Sequence, residues 1–245
     1  MDSGKKAAIG ATVLLLAVVG IRVGMLVHQR HVDETAVTPA PVESKANPDD
    51  LVFLRQLRPD SMKDIKGLVG KTLWVSAGGQ MDYYLYAGHK ANYAKSEGIL
   101  LGADPLIVKD AIEQVAPKSA TFRIPGGDRQ VLLVFTLPKS AKPETQYAVP
   151  IGYHQDDAYT FEMDEIFFYD DPHVLYKHWG ADRWAAIDAH KVIPGMSERQ
   201  VELALGQVSK SESQTYGNRT VTFDDQGHPV DVTFTNDKAT NIRPN

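Results

Sequence analysis

The 245-residue chain contains no cysteine. Disulfides, thiolate nucleophiles, zinc–thiolate centres and a lipid-modified N-terminal cysteine are therefore excluded. No run of basic residues follows the first turns of the chain, and the formal charge is −5, which argues against general affinity for nucleic acid. HxxxH, HExxH, GxSxG and phosphate-loop patterns are absent, as is any repeat of solenoid period. What is present is enough apolar material, 43% of residues, for one or two globular domains.

Residues 1–30 hold the one long apolar run. Lys5 and Lys6 precede residues 7–27, which only Arg22 interrupts. As a helix this run reaches about 31 Å, one bilayer core, and Arg22 lies near its end, where it can snorkel to the headgroups. No small-x-small cleavage site follows Gly20, so an uncleaved signal anchor is the expectation, with a cleaved signal peptide and a secreted product as the alternative. Lys5 and Lys6 favour a cytoplasmic N-terminus, whereas Arg30 opposes it. The expected location is the bacterial inner membrane, crossed once, with the globular part in the periplasm. Residues 31–50 carry three prolines, five acids and little to bury, and read as a linker.

Residues 51–170 read as α+β. Strands are expected at 73–76, 83–86, 146–154 and within 159–171, and a hairpin over 122–135 turning on Gly126-Gly127. Between them, residues 104–117 read as a helix: Asp104-Pro105 starts it, Val108, Ala111, Ile112 and Val115 share a face, and Pro117 ends it. Short strands and glycine turns around one helix suggest a small SH3-like barrel.

Residues 171–245 carry the densest local signalling. Asp171-Pro172 starts one helix and residues 181–190 another. In PGMSERQVELALG (194–206), Ser197 and Gln200 form a capping box, Met196 and Val201 a hydrophobic staple, and Val201, Ala204 and Leu205 an apolar stripe ending at Gly206. So short a helix needs an apolar support. Residues 211–218, 219–225 and 229–235 then read as a three-stranded meander, with Val221 and Phe223, and Val230, Val232 and Phe234, alternating with polar residues. Two helices on a three-stranded antiparallel sheet is the expected arrangement.

These features resemble the BamE (SmpA/OmlA) family of small envelope proteins. The resemblance rests on Gly195, Met196, Ser197, Gln200, Val201, Leu205 and Gly206, on the preceding helix and on the late hairpin, and it covers about a quarter of the chain. Two departures stand out. Gln207-Val208 replaces the usual proline, and the family's N-terminal lipidated cysteine is replaced by the apolar run. The resemblance implies a binding surface and envelope protein partners, including components of outer-membrane barrel assembly. The same fold also occurs in secreted inhibitors that bind enzymes.

Met196, Ser197 and Gln200 are accounted for by capping, so a partner surface is expected beside them. Glu198, Arg199 and Glu202 form the outward face, with Tyr216 and Arg219 flanking the next strand. Leu203 is turned off the apolar stripe, which places it either between domains or in solvent, where it would join Arg199 in the partner-binding patch. An enzyme reading rests on Asp164, Glu165, Asp170, Asp171, His173 and His178, as a hydrolase or metal site. Against it, Asp171 reads as a helix cap, and histidines five apart miss a shared helical face. A third reading, binding of cell-wall peptide, needs a groove lined by Tyr83, Tyr84 or Tyr86. Trp179 and Trp184 are expected to pack helices onto the sheet. His89, His154 and His228 have no evident partners, and Asn218-Arg219-Thr220 forms a glycosylation sequon. The reading is an interaction module rather than an enzyme, with no cofactor or metal.

Overall fold

Alternation along one strand explains how the body is assembled. In β1 (Thr72–Val75), Leu73 and Val75 enter one apolar core while Trp74, between them, packs against a second. Its neighbour β8 (Phe167–Phe168) does the same, Phe167 joining the first core and Phe168 the second. Side chains two apart share a sheet face, so one sheet edge serves both cores. The computed structural model describes residues 21–25, 47–118 and 123–244, and within it Asn47–Asn245 forms one compact unit. The fold is mixed α/β, mostly β, with antiparallel sheets.

The first sheet has eight strands in the order β3-β2-β6-β5-β4-β1-β8, with β7 also paired to β6. Its members include β2 (Asp82–Ala87), β3 (Lys90–Ile99), β4 (Pro105–Gln114), β5 (Arg129–Thr136), β6 (Gln146–Gln155) and β7 (Ala158–Phe161). Central β5 is covered on both faces: Val131, Leu133 and Phe135 enter the first core, Leu132 and Val134 a smaller one with Tyr84 and Ala148. Pro150 lies in β6 yet interrupts no ladder. It falls between the residues paired to β2 and those paired to β7, opposite the irregularity at Val131/Leu132 of β5.

Within 104–117 the chain forms strand β4 (Pro105–Gln114), not the helix expected. Residues 107–114 of β4 pair with β5, and the register shifts between Val108 and Asp110. That bulge moves the buried set from Leu106 and Val108 to Ala111, which imitates helical spacing in the sequence. The hairpin expected over 122–135 does not form among the described residues: 123–128 hold no strand, and β5 pairs with β4 and β6. Between β7 and β8 lies the single-turn helix α2 (Met163–Ile166); α1 (Met62–Lys66) precedes β1.

The chain then forms α3 (Pro172–Leu175), a 3-10 turn (Lys177–Trp179), α4 (Ala181–Asp188) and α5 (Glu198–Leu205). A second sheet follows, in the order β12-β11-β10-β9. It has four strands rather than three: β9 (Val208–Ser211), β10 (Thr220–Phe223), β11 (Val230–Phe234) and β12 (Ala239–Pro244). The first strand precedes residues 212–218, which form a loop, and β12 follows a turn at Asn236-Asp237, both at positive φ. Val221, Phe223, Val232 and Phe234 share the second core with Trp184, Ile187, Met196, Val201 and Leu205.

Two sequence expectations concern the N-terminal region. The linker ends earlier than residue 50: Pro48–Leu51 form a 3-10 turn capped by Asn47, and Asp49 is buried within the body. Residues 31–46 lie outside the described residues. So does the 7–27 anchor except for residues 21–25, which are helical and exposed. No helix among the described residues is long and apolar enough to cross a membrane.

Candidate functional site: a cleft between the first sheet and helix α5

The capping box of α5 forms as the sequence implies. Ser197 Oγ accepts from the Gln200 N–H at 3.3 Å, and Gln200 Oε1 accepts from the Ser197 N–H at 3.0 Å. Met196 and Val201 are both fully buried in the second core. Gly206 ends the helix at φ +99°. A Cβ there would come to 3.2 Å from Gln80 Cγ, so glycine suits both the backbone and the space.

With its inner face so fixed, α5 turns Arg199 and Glu202 into a cleft of about 490 Å³. The opposite walls are the segment after the 3-10 turn, with Val52 and Leu54, and the region from α2 to α3, with Phe168, Tyr169 and Leu175. Asp49 anchors one wall. Its Oδ1 accepts from Trp179 Nε1 at 2.7 Å and meets His178 Nε2 at 2.5 Å, while its carbonyl accepts from Arg199 Nη1 at 3.4 Å. Arg55 donates to the Tyr169 carbonyl at 2.7 Å and pairs with Asp170 at 3.2 Å. Asp164 accepts from the Leu57 and Arg58 N–H groups, each at 2.9 Å.

The acids and histidines of 164–178 are thus mostly engaged in architecture. Asp171 caps α3 through the His173 N–H and also meets the His173 ring. His173 reaches Asp188 at 3.1 Å and lies over Trp184, which stacks on Trp179, which stacks on Tyr176. His178 is held by Asp49. Asp164, Glu165 and Asp170 line the cleft, whereas His173 and His178 do not. Among the described residues no three such side chains are grouped as a metal site.

Of the expected partner-binding residues, four gather around α5. Tyr216 Oη lies 3.5 Å from a Glu202 carboxylate oxygen, and the Arg219 guanidinium sits 5.4 Å from the Tyr216 ring centre. Burial pushes the Glu202 carboxyl up to about 7, the nearby Glu198 charge adds to this, and Arg219 offsets part of it. Leu203 goes the other way. It is buried between the two sheets, its carbonyl against Gly102, which resolves its two expected placements in favour of the interior.

Two further expectations are corrected. Glu198, placed on the outward face by helical spacing, is fully buried, because Arg219, the Gly217 N–H and helix α5 enclose it. Arg219 is spent on that carboxylate and on the Ser213 carbonyl, so it offers little to a partner.

Sequence reasoning missed the wall formed by residues 49–55. The signal was there in LVFLRQL (51–57), an apolar segment with no helical or strand period directly after the linker. Tyr83 packs on Phe135 and Tyr147 and Tyr84 on Tyr93; Tyr84 also lines a pocket of about 190 Å³ with Met81, Ile99 and Leu205, in which it is the one aromatic side chain. His154 gains partners, stacking on Tyr159 near Glu113. No family model, characterised protein or solved structure matches the chain.

Proposed function

We propose that the chain is a bacterial envelope protein, held in the inner membrane by residues 7–27, whose periplasmic body binds a protein partner in the cleft beside α5. The observation that carries this reading is the convergence of Arg199 and Glu202 with Val52, Leu54, Phe168 and Leu175 around one open space. Its volume lies in the range of clefts that hold a ligand segment, and its apolar floor with a few charged groups is the composition such sites share. Asp50 and Glu165 outnumber Arg199 among the wall charges not committed to anchoring. The fitting occupant is an apolar protein segment bearing a basic side chain.

The C-terminal part is read as a BamE-like module with one strand added. Two helices ahead of an antiparallel meander support this, and so does the GMS capping box on the second of them. On that reading the partner belongs to outer-membrane barrel assembly or envelope maintenance. The SH3-like reading of 51–170 has less in its favour, since the sheet is larger and the inserted helix is a strand. The hydrolase reading has less in its favour, since His173 and His178 do not line the cleft beside Asp164, Glu165 and Asp170.

Pull-down from envelope membranes with the full chain and with Arg199→Ala is the test. Capture of a defined envelope protein that falls at least severalfold in the variant, with unchanged melting, supports the reading. Equal capture by both places the binding surface elsewhere.

A further inference from the structure

Residues 51–57 are ordered yet leave their apolar side chains in water. The segment is pinned at its start by the Asn47 cap and by Asp49, at its middle by Arg55 on Tyr169 and Asp170, and at its end by Asp164. Between these pins Leu51 is 62% exposed and Phe53 86%, with Leu54 and Leu57 also exposed. A soluble surface normally scatters such side chains singly; four within seven residues of a fixed segment are an unsatisfied apolar surface.

The charge around it is distinctive. The chain as a whole is acidic, but residues 51–71 carry five basic side chains, Arg55, Arg58, Lys63, Lys66 and Lys71, against Asp60 and Asp64. Asp64 is exposed and accepts from the Ser61 N–H and hydroxyl, capping α1. Arg58, Lys63, Lys66 and Lys71 are exposed and enter no ion pair among the described residues. Exposed aromatic and leucine side chains bordered by lysine and arginine are what an anionic bilayer surface accepts: the apolar groups enter the headgroup region and the cations meet phosphate.

We propose that residues 51–58, with the basic groups up to Lys71, dock the body on an anionic phospholipid surface. The inference rests on the anchor reading for its tether. Nineteen residues separate 27 from 47, a chain length that reaches at most roughly 70 Å, so residues 7–27 in a bilayer would hold the segment within that distance of the lipid. At that range weak intrinsic affinity suffices, because docking is intramolecular. The docked segment is itself a wall of the cleft, so contact with lipid would orient the cleft relative to the membrane.

Flotation of residues 47–245, the compact unit that holds all three apolar cores, is the experiment. The probes are vesicles of phosphatidylcholine alone and of equal parts phosphatidylcholine and phosphatidylglycerol. The body should float with the anionic vesicles and not with the neutral ones, and added salt should release it. Leu51→Ser with Phe53→Ser should weaken binding by roughly tenfold or more. Both positions are exposed, so an unchanged melting curve should accompany the loss. Arg58→Glu with Lys66→Glu should abolish the anionic preference. The proposal is overturned if the body floats with neither vesicle, or if the serine variant binds undiminished. It is also overturned if the segment instead joins two bodies into a dimer that the serine variant dissociates. Failure of the anchor reading has a separate signature: a mature chain that begins after residue 27, which leaves flotation of the body unaffected.

Discussion

Arg219 donates from Nε and Nη2 to one carboxylate oxygen of Glu198, at 2.9 and 2.6 Å, and the Gly217 N–H donates to the other at 2.7 Å. Glu198 has no exposed surface, so its charge depends on these donors. Removing one member of such a pair strands the other in the interior. Arg219→Ala should therefore cost about 3–5 kcal/mol in denaturant unfolding. Glu198→Gln with Arg219→Met, which removes both charges, should cost less. If Arg219→Ala is neutral, the pair does not hold the 212–218 loop to α5.

Glu202 makes stability depend on pH. Its carboxyl titrates at about 7 in the folded body against an ordinary 4.5. Between these values the folded state holds a proton that the unfolded state has lost, so stability falls as pH rises through this window. The fall should be on the order of 3 kcal/mol, complete above the folded value and absent below the unfolded one. In Glu202→Gln the corresponding loss should vanish, leaving the variant more stable than wild type at pH 8. Chemical denaturation at pH 5 and pH 8 measures both.

Gly102 sets the approach of the first sheet to α5. A Cβ at this position would lie 2.1 Å from the Leu203 carbonyl oxygen, a backbone atom that cannot rotate away. Gly102→Ala should force the seam apart and destabilise by about 2 kcal/mol or more, within the range of overpacking. Ser197→Ala, which removes only a cap, should cost about 1 kcal/mol. Thermal melts of the two variants side by side check the ordering. Gly102→Ala as stable as wild type would show that the contact is not tight in solution.

The legible parts of this fold were those whose signal is local. The α5 capping box needs only Ser197 and Gln200 at the right spacing, and β10 and β11 need only alternation against a solvated face. β4 was misread because its bulge shifts the buried set by one residue, and a single strand cannot show a pairing irregularity that its partner creates. β12 buries only a small alanine, Ala239, and half-buries Ile242, and its only cue was the Asn236-Asp237 turn. At the site, Arg199 and Glu202 were found from helical phase. Helical phase also sent Glu198 outward, because the loop that covers it comes from the other side of β9. The cleft's second wall is 150 residues from Arg199 in sequence, which no spacing rule reaches.

The claim that the cleft beside α5 is the partner surface is tested most directly by site-specific photocrosslinking in native envelope membranes. A photoreactive residue replaces Asp50, exposed on the cleft wall, and in a second chain Thr222, on the outer face of the second sheet. The account predicts a discrete protein adduct from position 50, absent from position 222 and lost when Arg199→Ala is added. No adduct from position 50, or the same adducts from both positions, would contradict it.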